Sequence, residues 1–368
     1  MNWFPSITLT VYLARNYFAW IMGALFTLLC FVALIDFIEL YQRASKYDLD
    51  ISNITILTLG MMNLPTIFDE ILPFGLLFGS MTCFYFWSKS HQFAAIRSFG
   101  QNIWQTLFPI ILVAGSLGLF HILIFNPISA VISQQHDTQM NSIFNNTPKS
   151  LVSISSSGIW LRDTFFDDNV IINGSSVNTE QAIIFEPVLY ILNETGSLKW
   201  MVKANSMQLD KGFWTFKEPK RIELNGEIKS LRGFQPQSTL DRSIMLNAGR
   251  PLRTISFYEL SDYIDTLQTA GIPVEILRVQ FYKTLALPIQ LIGLALLAAS
   301  CTLLSFARQK RVRIIILGLC AGFLYYFVSD LIFLLGHNAR LPDFVAGWLP
   351  AILIFTISGF LLARGDEY

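Results

Sequence analysis

Charge is scarce in this chain. Only 14% of its 368 residues are Asp, Glu, Lys or Arg, against about 25% in ordinary soluble domains. By contrast 53% are hydrophobic, and the mean hydropathy is +0.48. That balance excludes a soluble globular protein and predicts an integral membrane protein. The 26 basic residues equal the 26 acidic ones, so the basic surface that displaces counterions from nucleic acid is missing, and no nucleic acid is expected as a partner. Cysteine is scarce too. Cys30, Cys83, Cys301 and Cys320 all lie in apolar runs, which leaves no disulfide framework and no thiolate metal site to expect. His91, His121, His136 and His337 are scattered over different elements. The chain has no GxxxxGK[ST] loop for nucleotide phosphates, no HExxH and no GxSxG, so no catalytic residue and no metal ligand is assigned. Energy-driven work would need a partner ATPase.

Long apolar runs are what the chain has instead. Crossing some 30 Å of hydrocarbon takes about twenty apolar residues. Residues 1–14 read as a short interfacial helix with aromatic anchors. The first span follows at 17–38, after Arg15, and is closed by Asp36 and Glu39. Without a basic lead or a small-x-small cleavage site, it reads as an uncleaved span. A polar link with Arg43, Lys46, Asp48 and Asp50 precedes a second apolar stretch, 54–87, too long for one straight span. Pro65 and Pro73, around Asp69 and Glu70, predict its division into an interfacial lead-in and a kinked span from about Ile71. Residues 88–101 form a polar link, and the third span, 104–125, ends at Asn126 and Pro127. Spans at 281–306, 314–335 and 344–362 complete six.

Arg308, Lys310, Arg311 and Arg313 crowd one link with no acid among them, which marks that link as cytoplasmic. Six spans put the 88–101 link and both termini on the same side, with Arg15, Lys89, Arg97 and Arg364 in agreement, so the polar block between spans three and four faces outward. Within it, period-two alternation recurs at Leu151-Val-Ser-Ile, Asn169-Val-Ile-Ile, Ala182-Ile-Ile-Phe, Val188-Leu-Tyr-Ile, Trp200-Met-Val-Lys, Phe213-Trp-Thr-Phe and Arg221-Ile-Glu-Leu. Asn173-Gly174, Thr195-Gly196, Lys211-Gly212 and Asn225-Gly226 read as turns. A sandwich, a jelly roll or a partly open barrel would satisfy this pattern. From Ser256 the apolar spacing turns helical, with Gly271 and Pro273 as stop signals. The expected architecture is six transmembrane α-helices, three plus three, with an extracytoplasmic all-β, jelly-roll-like domain inserted between spans three and four. Its boundaries are 1–127, 128–255 and 256–368. Three functions fit these residues alone: a transporter subunit powered by a separate ATPase, a receptor whose outward β domain binds a ligand, or an intramembrane enzyme, which lacks a recognisable nucleophile and base.

At the flanks of the β block the sequence becomes specific. Ser157-Gly-Ile-Trp160 opens the block, and Leu267-Gln-x-x-Gly271 leads into Phe281-Tyr-Lys283 and Pro288. Gly322-Phe-x-Tyr-Tyr-Phe-Val-Ser-Asp330 is followed by Leu341-Pro342 and Trp348-Leu-Pro350, and Gln92-Phe-Ala-Ala-Ile-Arg-Ser-Phe-Gly100 fills the first intracellular link. In order and spacing, over essentially the whole chain, this resembles the LptF/LptG permease family of lipopolysaccharide export, most like its LptG branch.

The resemblance implies a non-catalytic permease subunit in the cell inner membrane, with cytoplasmic termini and a periplasmic β domain. It would extract lipopolysaccharide and pass it through that domain toward the outer membrane. The implied partners are an LptF-like permease, a dimer of a cytosolic LptB-like ATPase that uses ATP and Mg, an LptC-like single-span protein and an LptA-like periplasmic bridge; this chain itself carries no cofactor. By position in the family pattern, Ser90, His91, Gln92, Phe93, Arg97 and Gly100 form the ATPase-coupling helix, with Gln92 where the family has a glutamate. Lipopolysaccharide would enter between spans one and five, so the expected path comprises Asp36, Arg43, Lys46, Lys283 and Asp330, then the strand positions Ile159, Trp160, Ile171 and Ile184. Asp36 stands near the place of a span-one lysine, which leaves Arg43 and Lys46 as the nearest cations. Pulling acyl chains from a bilayer costs roughly 0.8 kcal/mol per methylene, which is why both ATP and an apolar channel are required.

Overall fold

The computed structural model describes residues 6–46, 52–144, 159–165, 168–178, 183–192, 198–210, 212–223, 227–231, 233–238, 251–269, 274–303, 311–338 and 340–366. They divide into two compact units, one made of residues up to His136 and from Glu275 onward, the other of Asp137–Val274.

The first unit contains six helical runs long and apolar enough to cross a membrane. α1 (Ile7–Lys46) is a single helix of 40 residues, about 60 Å long at 1.5 Å per residue. The expected division into an interfacial helix and a span is therefore corrected. No proline interrupts the segment, so the backbone ladder passes through Arg15, Asp36 and Glu39. α2 (Asn53–Lys89) likewise runs unbroken through Pro65 and Pro73, where a lead-in and a separate span were expected. A mid-helix proline costs about 3 kcal/mol, and the burial of Ile67, Ile71, Leu72, Leu76 and Leu77 along the same helix opposes that cost. Ser52 caps its start, accepting from the Ile54 N–H. α3 (Gln92–Ser98) occupies the following link.

α4 (Ile103–Phe120) passes through a π-helical turn, His121–Phe125, into α5 (Asn126–Phe144). Asn126 and Pro127 were expected to end the third span and do not: the helix widens just before them, the Asn126 N–H bonds the His121 carbonyl, and the π turn takes up the irregularity that Pro127 brings to the continuous helix.

α1 and α2 approach closely. A methyl group at Gly79 would lie 2.7 Å from the Cα of Ile21, so only glycine allows this backbone contact. Tyr17, Ile21 and Leu25 of α1 join Leu72, Leu76 and Phe84 of α2 in one core with Leu107 and Ile110 of α4.

In the second unit, strands β1 (Ile159–Phe165), β2 (Asp168–Gly174), β5 (Val188–Leu192), β6 (Leu198–Lys203), β9 (Lys220–Glu223) and β10 (Ile228–Ser230) form one antiparallel sheet in that order. β3 (Ser176–Asn178), β4 (Ile183–Phe185), β7 (Ser206–Asp210) and β8 (Phe213–Lys217) form the other. Val170, Ile172, Leu189, Ile191 and Val202 of the larger sheet pack with Ile184, Met207, Leu209 and Trp214 of the smaller. Among the expected strands, 151–154 lies outside the described residues, as do the turns at Thr195-Gly196 and Asn225-Gly226. Asn173-Gly174 is not a turn: both residues belong to β2, and the chain crosses to the other sheet after Ser175. Gly174 is required by packing, since a Cβ there would lie 2.2 Å from Ile184 Cγ2. Gly212 does turn the chain between β7 and β8, at φ +80°. Within β1 Asp163 is buried, accepting from Trp214 Nε1 at 2.8 Å and Ser238 Oγ at 2.6 Å. α6 (Phe257–Thr269) follows, the helix expected from Ser256 onward.

The first unit resumes with α7 (Glu275–Leu303), α8 (Arg311–His337) and α9 (Asp343–Asp366), the last three spans. Leu291, Leu294, Ala295, Ala298 and Ala299 of α7 belong to the core of this unit. Arg308 and Lys310 lie outside the described residues.

Candidate functional site

Three places in the helical unit gather the residues that the sequence singled out. The first is α3. Ser90 closes α2, its hydroxyl donating to the Phe86 carbonyl at 2.8 Å, and His91 takes the left-handed conformation at φ +57° to turn the chain into α3. Gly100 at φ +76° leads out of it. Phe93 and Ile96 face the bundle, with the Phe93 ring 5.7 Å from Trp87 and 6.2 Å from Phe84. Arg97 is exposed, and Gln92 Oε1 is buried without a hydrogen-bond partner. Phe99 stands 86% exposed just beyond the helix. Sequence reasoning passed over it, though an aromatic ring in so polar a link was the available signal.

The second place is the uncovered surface of α1 and α8. Only 11% of the most apolar stretch of α1 and 28% of that of α8 is buried, against 67% for α7. Phe26, Phe31, Leu34, Ile35 and Ile38 of α1, and Phe323, Leu324, Phe327 and Leu331 of α8, are exposed. Asp36 turns toward α2, where Asn63 Nδ2 donates to its Oδ1 at 3.1 Å, and its Oδ2 is buried without a partner. Arg43 pairs with Glu39 at 3.1 Å one turn away, and Lys46 is exposed at the helix end.

The third place joins residues that the sequence kept apart. Lys283 of α7 lies over the Phe333 ring at 4.3 Å and within electrostatic reach of Asp330 of α8 and Glu70 of α2. His337 at the end of α8 lies within electrostatic reach of Lys283 and Asp330. Lys283 and Asp330 were anticipated, whereas Glu70 read as an interfacial charge and His337 as a scattered histidine. Close by in sequence to Glu70, His121 Nε2 meets Asp69 Oδ1 at 2.7 Å, and Ser129 Oγ donates to Asp69 Oδ2 at 2.9 Å. Nothing in the sequence connected these three, because 52 and 60 residues separate Asp69 from its partners.

The β unit places the remaining positions. Ile159 and Trp160 open β1, paired with Gly174 and Asn173. Ile184 is fully buried between the sheets. Ile171, expected to face inward, does not: its neighbours Val170 and Ile172 are fully buried, and period-two alternation puts Ile171 on the opposite face of β2. Where the core thins, near Phe216, Leu231 and Phe234, lies a cavity of about 350 Å³. Arg221 lies over the Trp200 ring at 4.4 Å on the neighbouring strands.

Residues 11–364 match the family described as lipopolysaccharide export system permease LptF/LptG. The chain is also similar to the lipopolysaccharide export system permease protein LptG of Haemophilus influenzae, at 22% identity over 365 residues, covering 97% of this chain and 98% of that protein.

Proposed function

The chain belongs to the LptF/LptG family of lipopolysaccharide export system permeases, and on that premise we propose that it draws lipopolysaccharide from the inner membrane with energy supplied by a partner ATPase and passes it into its β unit. The observation that carries this reading is the exposed apolar surface of α1 and α8, which stays uncovered although both helices pack in the same bundle as the well-buried α7. Two such surfaces suit a second, LptF-like permease across a lipid-lined entry, and an intramembrane group of ionisable side chains, Lys283, Asp330, Glu70 and His337, suits a polar, phosphorylated headgroup. Arg43 and Lys46 supply further cations at the end of α1.

In this reading α3 docks a dimeric LptB-like ATPase, which alone binds ATP and Mg. The exposed Arg97 faces that partner, and Phe99 enters an apolar recess on it. The termini and α3 are cytoplasmic, and the β unit is periplasmic, where LptC-like and LptA-like proteins continue the route. Acyl chains pass between the two sheets, past Ile184, and the filled core must part to admit them.

The test is photo-crosslinking in vesicles that contain the assembled transporter and lipopolysaccharide. Crosslinkers at Ile184 and at Ile172 capture lipopolysaccharide when ATP is added, while one at Ile171 captures little. Equal capture at Ile171 and Ile172, or none at any position, would remove the β route. Replacing Gln92, Phe93 and Arg97 together abolishes association with the ATPase without affecting membrane insertion, and intact association would remove the docking role of α3.

A further inference from the structure

We infer that Trp87 and Asn16 pass the movement of α3 to span α1, acting as positioning residues between the ATPase-docking helix and the helix that borders the lipid entry. The inference deepens the reading above and depends on it for the roles of α3 and α1.

α3 meets the bundle through one aromatic inset. Phe93 packs against Trp87 and Phe84, which are 2% and 0% exposed. Trp87 Nε1–H donates to Asn16 Oδ1 of α1 at 2.9 Å. One turn away the Phe84 ring stacks on Tyr17 at 5.9 Å, and the Tyr17 hydroxyl is 2.7 Å from Ser80 Oγ. Trp20 and Phe86 stack at 4.7 Å beside them. Three elements are thus joined in one packed cluster, and the Asn16–Trp87 hydrogen bond is a directional link in it. An amide on an otherwise apolar helix face is costly unless it finds a partner, and the Asn16 Oδ1 has its partner in Trp87.

The burial of α1 shows where a push would go. Its buried positions Leu13, Tyr17, Ile21 and Leu25 lie in the half that carries the cluster, and burial resumes only at Leu40 and Ala44. Between Phe26 and Glu39 no residue of α1 is buried. Along this stretch α1 is held on one face only, by Leu28, Leu29, Val32 and Ala33 against the core and by the Asn63–Asp36 hydrogen bond, so a shift of the cluster tilts the helix on that face and carries with it the opposite, uncovered face assigned to lipid entry. Packed side chains that link two sites carry coupling only if they prove energetically linked, so the test is a double-mutant cycle.

The experiment uses the complete transporter, with its ATPase, in vesicles containing lipopolysaccharide. N16A removes the acceptor, N16D keeps an acceptor oxygen, and W87F removes the Nε1–H together with part of the buried ring. Lipid extracted per ATP hydrolysed falls about fivefold in N16A, the factor that corresponds to one ordinary buried hydrogen bond, and at least as much in W87F, while ATPase association and basal hydrolysis stay unchanged. N16D restores the ratio, and W87F with N16A is no worse than W87F alone. An unchanged ratio in both single variants, additive losses, or loss of ATPase association by W87F would overturn the relay. Where W87F does not accumulate in the membrane, N16A and N16D give the decision. A spin-label pair at F31C and L112C, in a chain lacking Cys30 and Cys320, reads the movement of α1 without reference to cargo. Nucleotide shifts this distance in the otherwise native chain and in N16D, and leaves it fixed in N16A. Absence of lipid extraction by the native transporter counts against the proposed cargo, while the spin-label result still decides the relay.

Discussion

His121 and Asp69 meet at 2.7 Å where α4 widens into its π-helical turn. Ser129, one turn into α5, holds the other carboxylate oxygen at 2.9 Å, so a single side chain of α2 ties both sides of the irregular turn. Substituting D69A leaves two donors without their acceptor and lowers stability by about 1–3 kcal/mol. S129A, which removes one donor, costs about 1 kcal/mol. The double variant is no less stable than D69A alone, because the hydroxyl has nothing left to bond. Thermal unfolding of the detergent-solubilised chain measures all three, and additive losses would show that Ser129 acts elsewhere.

Phe99 presents 86% of its surface to solvent, and an exposed ring contributes little to folding. F99A therefore shifts stability by less than about 0.5 kcal/mol. If α3 docks an ATPase, the same change weakens association by about 1–3 kcal/mol, as expected for an apolar anchor leaving a pocket. Binding of the ATPase to the solubilised chain, set against an unchanged melting temperature, separates the two effects. Undiminished binding would exclude Phe99 from the docking surface.

The sequence displayed what repeats and hid what pairs across distance. Apolar runs located all six spans, and alternation located β2, β4, β5, β6, β8 and β9, because burial writes a period into consecutive residues. The inward face of β2 was readable in principle, since Val170 and Ile172 alternate with Asn169 and Ile171, yet three apolar residues in succession, Val170 to Ile172, concealed which set was buried. Pro65, Pro73 and Pro127 misled for one reason: local propensity favours a break, and tertiary packing or a π turn overrides it. The joining of Asp69 to His121, and of Lys283 to Glu70, depends on helices that meet only after folding. No spacing rule reaches across 52 residues.

Asp163 shows how a polar core residue is held in the β unit. It is 2% exposed and accepts from Trp214 Nε1 and Ser238 Oγ, which join β1 to β8 and to the segment after it. D163A strands both donors and costs about 2–4 kcal/mol, the range for breaking hydrogen bonds to a buried charged group. D163N keeps an acceptor and loses less. Limited proteolysis of the intact chain follows the change, with faster cleavage inside 159–238 in D163A than in D163N. Equal cleavage rates would mean that the Asp163 contacts do not limit opening of the sheets.

Lys283 gives the sharpest division between stability and transport. Its ammonium group sits 4.3 Å over the Phe333 ring, a cation–π contact that contributes about 1–2 kcal/mol where water is excluded. K283M removes the charge and that contact. It also deprives Asp330 and Glu70 of a nearby cation. K283R preserves the charge and can stack on the same ring, so its stability stays close to that of the native chain. F333L loses the contact and keeps the cation. If Lys283 only anchors α7 to α8, K283M is the less stable of the two, and lipid extraction falls in proportion to stability in both K283M and F333L. If it also meets a phosphorylated headgroup, K283M extracts markedly less lipid than its loss of stability accounts for, and K283R recovers extraction. Melting temperatures and lipid extraction measured on the same three preparations decide it, and extraction that follows stability along one line in K283M and F333L would leave Lys283 a purely structural residue.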